Sequence, residues 1–333
     1  MTPTDRSLVV VAVGGNALTR TGERGTYAEQ WQNANRIALS IWRLTRAGRR
    51  VILVHGNGPQ VGSLSIQQEE GSRLVPPQPL SELVAMTQGA LGGLLSLALH
   101  NASGGAIQAA SVVTHVEVAA SDPAFQRPTK PIGPFFTAAE ASQLTAERGW
   151  LMKEDSGRGF RRIVASPDPK RVLEAESVRA LVDRGVVVLA GGGGGVPVVR
   201  RGKRLRAVDA VIDKDFTAAR LAASVDADDL VFLTGVPHVY LDFGTPRQRV
   251  AIELSAADAE QHLGAGQFGE GSMAPKVRAA LRFVSGAVGA GGGRRSFITS
   301  ARWMHAAMAG SHGTRIVGHT QAALNPPGRA SAL

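Results

Sequence analysis

Leu8-Val9-Val10-Val11-Ala12-Val13, followed by Gly14-Gly15-Asn16, reads as a strand buried on both faces and closed by a glycine turn. The helical spacing of Ile37, Ile41 and Leu44 predicts a helix over Tyr27 to Ala47. Arg50-Val51-Ile52-Leu53-Val54 predicts a second strand, stopping at His55-Gly56-Asn57-Gly58. Strand, helix, strand with glycine turns at the carboxyl ends is a βαβ unit, so the fold class is α/β. In open α/β sheets ligands bind beyond the carboxyl ends of the strands, where both turns lie.

Working outward, Ser81 to Leu99 predicts a long helix that contains Gly89, Gly92 and Gly93. An interior glycine costs about 0.5–1 kcal/mol relative to alanine, so close approach of a sheet or a second subunit is expected. Thr87, Gln88 and Ser96 interrupt its apolar run, which reads as a buried helix and not a membrane span. Further strands are predicted at 106–111, 162–165, 186–190, 230–234, 295–299 and 314–317. Further helices are predicted at 173–183, 215–225, 274–284 and 302–308. From about 117 to 169 the chain carries Pro123, Pro128, Pro131, Pro134, Pro167 and Pro169 with weak periodicity, which predicts a loop-rich lid or binding insertion. The stretch 319–333 reads as a frayed tail.

With 333 residues the chain is long enough for two lobes, each with its own core. The absence of cysteine excludes disulfides, thiolate metal sites and cysteine nucleophiles. The opening Met1-Thr2-Pro3-Thr4-Asp5-Arg6 lacks a secretory h-region, so a cytoplasmic location is expected. Net charge is +10, and its densest cluster, Arg200 to Arg206, lies between strand-like runs and reads as a solvated hairpin tip. Only 5% of residues are aromatic, which leaves few platforms for stacking bases. The charge is therefore read as attraction for small anions, with neither nucleic acid nor membrane as a partner.

Gly14-Gly15-Asn16 and Gly56-Asn57-Gly58 each follow a strand and precede a helix, a setting in which exposed amides form an anion nest. Either alone is as readily an ordinary tight turn; two at neighbouring strand ends favour a ligand. The run Gly191 to Gly195 fails the dinucleotide fingerprint, because Val196 stands at the third glycine position and a strand follows. Val277 after Lys276 excludes a P-loop. A nucleotide site must therefore have another design.

Asp213-Lys214-Asp215 follows strand-like Ala210-Val211-Ile212 and opens a helix. A lysine between carboxylates stays protonated, and Asp209, four residues earlier, is expected to join them. By itself the motif also fits a helix cap with a local ion pair. Lys276 follows Pro275 at a helix start. Lys130 sits in Arg127-Pro128-Thr129-Lys130-Pro131-Ile132-Gly133. Three isolated lysines with two glycine turns suit phosphoryl transfer, whose transition state spreads negative charge over the moving oxygens. The eight histidines show no metal spacing, and His55 and His115 read as structural, so no protein-built metal site is expected.

The stretches 12–18, 55–62, 128–133, 161–167, 191–198, 210–215 and 269–276 together resemble the carbamate kinases of the amino acid kinase family, over nearly the whole chain. The resemblance implies a three-layer α/β/α sandwich with a protruding lid subdomain. It implies an N-terminal lobe, 1–215, binding carbamate or carbamoyl phosphate, with the lid at about 117–169, and a nucleotide lobe, 216–318. Gly14, Gly15, Asn16, Gly56, Asn57 and Gly58 would hold the carbamoyl and transferring phosphoryl groups. Lys130 would cover the acyl phosphate. Lys214 and Lys276 would neutralise the moving phosphoryl group, organised by Asp213 and Asp215. Val236, Tyr240, Phe243 and Met273 would lie against the base of ADP or ATP, which arrives with Mg²⁺. A homodimer is implied, as is a role in arginine degradation. The alternatives are another acyl-phosphate kinase of this fold, or a catalytically silent anion-binding protein.

Overall fold

The computed structural model describes residues 7–20, 22–155, 157–286 and 293–318, with only the backbone of Gly15 and Asn16. The tail forecast for 319–333 lies outside these residues. The chain opens with β1 (Leu8–Val13), the one-turn α1 (Gly15–Leu18), α2 (Tyr27–Arg46), β2 (Arg50–His55), α3 (Gly58–Gly71) and α4 (Leu80–Ala102). Next come β3 (Ala109–Ser111), β4 (His115–Val118), β5 (Lys130–Phe136), α5 (Ala138–Arg148), β6 (Met152–Glu154), β7 (Phe160–Val164) and β8 (Pro169–Val172). Then follow α6 (Ala175–Asp183), β9 (Val187–Leu189), β10 (Val196–Arg201), β11 (Arg204–Ala207), α7 (Lys214–Ser224), β12 (Asp229–Leu233), β13 (Val239–Leu241), β14 (Arg249–Ala251) and β15 (Glu253–Ser255). The last are α8 (Ala256–Gly264), α9 (Met273–Ser285), β16 (Arg295–Thr299), α10 (Met304–Met308) and β17 (Thr314–Val317).

Eight strands form the central sheet in the order β15-β17-β16-β12-β1-β2-β9-β3, parallel except between β16 and β17. β1 lies inside it, and its two-residue pleat divides the core. Leu8, Val10 and Ala12 face a layer built from α6, α7, α8 and α9. Val9, Val11 and Val13 face α2, α4 and the start of α10. Each fully buried aliphatic side chain here contributes about 1.5–3 kcal/mol. One short apolar run therefore anchors both helical layers, and the architecture is the α/β/α sandwich anticipated above.

α2 starts where the sequence puts it because Thr26 and Glu29 form a reciprocal capping box. α4 is longer than its apolar pattern suggested. Among the described residues it is the one helix long and apolar enough to cross a membrane, but Leu83, Val84, Leu91, Leu95 and Leu99 are buried in the protein. Its glycines divide by face. A Cβ on Gly92 would lie 2.0 Å from Ser111 Oγ on β3, so this glycine admits the sheet, whereas Gly89 and Gly93 meet nothing.

The segment read as a loop-rich insertion is the subdomain that the resemblance implied, and it has a sheet and a helix of its own. β5, β7 and β6 form an antiparallel sheet in that order, and α5 is closed by a Thr137–Glu140 capping box and by Gly149 in the left-handed region. Its prolines misled the reading because Pro131 and Pro134 lie on β5, an edge strand where a missing N–H is tolerated. The subdomain rests on one stripe of α3, formed by Gly58, Gly62, Ser65 and Glu69 at helical spacing. Gly133, at φ +78°, packs on Gly62 so closely that a Cβ there would lie 1.9 Å from the Gly133 Cα. Arg162 donates to Ser65 Oγ at 2.7 Å, while Arg148 and the Trp150 indole donate to Glu69.

Other expectations need correction. Ala210–Ile212 is buried but belongs to no strand; Val211 N donates to Ala165 O instead. The strand predicted at 106–111 shortens to β3, because the turn after α4 runs to Gly105. Pro275 is the third residue of α9 and not the first, still within the turn whose N–H groups lack helical partners. α8 and β13–β15 were not foreseen. The Arg200–Arg206 cluster does form a hairpin, β10–β11, and β11 is exposed throughout. Gly92→Ala should destabilise the protein by about 1–3 kcal/mol in urea unfolding, since the new methyl must displace Ser111.

Candidate active site

β1 and β2 are parallel neighbours with Val13 opposite His55, so the two predicted glycine turns emerge side by side. Gly56 N donates to Val13 O at 2.9 Å and holds them together. Gly14 joins β1 to α1, whose first residues are Gly15 and Asn16. Asn57 precedes α3 but does not cap it with its side chain. It is buried, and its Nδ2 donates to Thr87 Oγ1 on α4 at 2.9 Å. Asn57 therefore buttresses the turn, leaving the α3 N-terminus without a side-chain cap and with no acidic residue in its first turn.

The five-glycine run has a packing role that the sequence reading did not assign. A Cβ on Gly193 would lie 2.1 Å from Asn57 Nδ2, and one on Gly194 would lie 2.2 Å from Ile212 O; both residues have positive φ. The loop is thus wedged between Asn57 and Ile212, the residue before Asp213. Thr217 Oγ1 of α7 donates to Gly194 O at 2.9 Å and fixes this loop to the helix that carries Lys214.

All three singled-out lysines converge there. Lys130 Nζ, from β5 of the lid, donates to Asp213 Oδ2 at 2.5 Å. Lys214 Nζ donates to Asp215 Oδ1 at 2.6 Å, and Lys276 Nζ to Asp215 Oδ2 at 3.1 Å. Asp213 also caps α7, accepting from Asp215 N at 2.9 Å. Every oxygen of the two carboxylates is thus engaged. Three ammonium groups against two carboxylates leave one positive charge in excess, poised for an anion.

Burial would raise the Asp213 carboxyl, but Lys130 and Lys214 outweigh it and hold the group well below the usual range. The same balance lowers Asp215, with Lys214 and Lys276 as the opposing charges. Lys214 is pushed down, mainly by burial and further by Lys276, despite Asp215. In Lys276 burial acts downward, yet the Asp215 and Asp213 carboxylates more than offset it and the pKa rises.

Asp209 does not join this cluster. It accepts a hydrogen bond from Ser81 N at 3.3 Å, at the start of α4. The residues between it and Asp213 are not helical, so a four-residue spacing does not bring the carboxylates onto one face. Of the residues assigned to the nucleotide base, Met273 begins α9 three positions before Lys276. Tyr240 on β13 and Phe243 just beyond it have ring centroids 6.0 Å apart, with Phe243 exposed, and Val236 lies in the loop leaving β12. Arg161, in the lid strand β7, was given no role from sequence, although its Nη2 would be the nearest atom to a Cβ on Gly58, at 4.0 Å. Its sequence signals were the charged pair Arg161-Arg162 in an otherwise strand-like run and its place at the start of the resembling stretch 161–167.

A mostly parallel sheet thus presents a lysine cluster near its carboxyl edge, with neither nucleotide fingerprint, as a phosphate-handling enzyme of the α/β class would. The sequence profile of the amino acid kinase family matches residues 7–300, and the chain belongs to that family. It is 41% identical over 313 residues to the carbamate kinase of Pyrococcus horikoshii, spanning 92% of this chain and 98% of the relative. The structure of carbamate kinase from Giardia lamblia bound to citric acid superposes with a TM-score of 0.88 at 37% identity, over 94% of this chain and 99% of that one. The Giardia enzyme bound to AMP-PNP gives a TM-score of 0.85 at 37% identity, with the same coverage.

His55 lies beneath the second turn, fully buried, with Nδ1 3.1 Å from Gly56 O, so the neutral ring donates there. Burial pushes its pKa from 6.5 down to about 4, and the bond to Gly56 recovers only part of the loss. Between those two values the unfolded chain takes up a proton that the native state refuses. Stability is therefore lost as pH falls through this window, by about 3 kcal/mol at roughly 1.4 kcal/mol per pH unit. Urea unfolding from pH 7 to pH 4 should show this slope in the native protein and a flatter one in His55→Gln.

Proposed function

We propose that the protein is a carbamate kinase, transferring a phosphoryl group reversibly between carbamoyl phosphate and ADP to give carbamate and ATP. The observation that carries this reading is the meeting of Lys130, Lys214 and Lys276 on Asp213 and Asp215, beside two glycine turns. Similarity to carbamate kinases over almost the whole chain supports it. Residues 1–215 bind carbamoyl phosphate, with the lid at about 117–169, and residues 216–318 bind the nucleotide. The backbone of Gly14 to Asn16 and of Gly56 to Gly58 receives the carbamoyl and phosphoryl oxygens. Lys130 covers the acyl phosphate. Lys214 and Lys276 neutralise the charge that spreads over the phosphoryl oxygens in flight, and a single aimed donor of this kind is worth about 2.7–4 kcal/mol. Asp213 and Asp215 keep these lysines placed and protonated. Carbamate is already an anion, so no general base is required. The base of ADP lies along Val236, Tyr240, Phe243 and Met273.

The carboxylate oxygens of Asp213 and Asp215 are committed to lysines and to Asp215 N, and no cluster of three metal-ligating side chains occurs among the described residues. The side chains present therefore do not make a direct Mg²⁺ site; the ion is proposed to enter on the nucleotide phosphates. The working setting is the cytoplasm, in ATP synthesis at the end of arginine degradation. The assembly is a homodimer through the N-terminal lobe, for which the outward face of α4, with Met86 and Leu97 exposed, supplies the apolar surface.

ATP formation from ADP, Mg²⁺ and carbamoyl phosphate should be rapid, and acetylglutamate and glutamate should not serve as phosphoryl acceptors from ATP. The opposite pattern would move the protein to another kinase of this fold, and silence in all assays to an anion-binding role. Lys130→Ala should lower turnover by about 10²-fold or more, with the smallest fall in thermal midpoint of the three variants, since this lysine is the most exposed of them although Asp213 loses its partner. Lys214→Ala and Lys276→Ala should lose as much turnover but more stability, because each leaves a buried carboxylate less compensated. Leu97→Glu should shift the protein to monomer in sedimentation velocity; an unchanged dimer would place the interface elsewhere.

A further inference from the structure

The lid brings a second cation to the substrate turn. Arg161 lies on β7, across from the bulge that follows Ile132 in β5. Its Nε donates to Gly133 O at 3.0 Å and its Nη1 to Asp155 Oδ2 at 3.2 Å. Those two bonds fix the plane of the guanidinium and turn Nη2 toward Gly58, the first residue of α3. The side chain is only 12% exposed.

Its position is fixed twice over. Gly133, which holds Nε, is itself packed against Gly62, one helical turn along α3 from Gly58. Gly58 and Gly62 thus form one glycine face of α3. One accepts the lid backbone and the other leaves room for the arginine. Any larger residue at Gly62 would lift β5 and β7 together, and with them Lys130 and Arg161.

The two helix N-termini beneath the lid are treated differently. At α7, Lys130 meets Asp213, a carboxylate that caps the helix and neutralises the ammonium group. At α3 there is no acidic residue in the first turn and no side-chain cap. A guanidinium there faces the positive end of a helix, an unfavourable pairing unless an anion lies between them. Asp155 neutralises the guanidinium from its far side only, through Nη1.

We propose that Arg161 is a substrate-binding residue, its Nη2 binding an anionic oxygen of carbamoyl phosphate over the Asn57–Gly58 turn. The planar fork suits this better than a lysine would, because one edge of it is already held by the lid. Lys130 and Arg161 then form a pair of lid cations, one for each helix terminus. Burial depresses the Arg161 pKa, and Asp155 offsets only part of that, so desolvation is already met before substrate arrives.

This inference rests on the carbamate kinase reading, and the assay separates the two. Native protein is first tested for ATP synthesis from carbamoyl phosphate and ADP; failure there rejects the reading itself. In active protein, Arg161→Ala should raise the KM for carbamoyl phosphate by tenfold or more, with the KM for ADP changed less than twofold. Added guanidinium at millimolar concentration should recover part of the loss in Arg161→Ala and none in Lys130→Ala. Arg161→Lys, which keeps the charge and most of the packing, should lie between the alanine variant and the native protein, and it carries the test if Arg161→Ala does not fold. An unchanged KM for carbamoyl phosphate, or an equal rise in both KM values without rescue, would reduce Arg161 to a structural strut of the lid and overturn the proposal.

Discussion

Two carboxylates at the start of one helix make this active site possible. Asp213 and Asp215 hold three ammonium groups from segments far apart in the chain, one of them on a separate subdomain. Without them, three lysines in a half-buried space would repel one another and lose hydration with nothing in return. With them, each lysine is charged and aimed, and the cluster still lacks one negative charge. Much of the rest of the fold serves to place α7, whose first turn carries both aspartates.

That placement comes from close packing where side chains have been removed. The five-glycine loop fills the gap between Asn57 and Ile212, linking the turn after β2 to the cap of α7. The same device recurs at the lid, where Gly133 on Gly62 fixes the distance between β5 and α3. The contacts of Gly194 with Ile212 O and of Gly133 with Gly62 are backbone to backbone, and stiffer than contacts between long side chains, since no rotamer can yield. In phosphoryl transfer, where positioning supplies much of the acceleration, that stiffness is functional.

The layered sheet could be read from the chain because its signals are strong and local. Leu8–Val13 and Val51–Val54 are uninterrupted apolar runs followed by glycine turns, and their pairing follows from the βαβ rule. The three lysines were legible because each stands alone amid glycine, proline or aspartate. The lid's place in the chain and its strand β7 were legible, but β5 and β6 were not, because prolines interrupt the pattern of β5 and β6 has only three residues. Asp209 was misjudged because proximity in sequence becomes proximity in space only inside a regular element, and 210–213 forms none. Arg161 opened one of the stretches that carry the resemblance but received no role, for a related reason: its meaning depends on Gly58, more than a hundred positions earlier, and on how Gly133 seats the lid.

The bond between Lys130 and Asp213 has one more implication. Lys130 has a counter-ion of its own, Asp213, at 2.5 Å. An incoming compound must draw the ammonium group away from a built-in competitor. A weakly charged molecule, or one with a single diffuse charge, offers too little to do so, whereas a compact dianionic phosphate exceeds what one shared carboxylate provides. If Lys130 serves a ligand as proposed, Asp213 sets an internal threshold for how concentrated that ligand's charge must be.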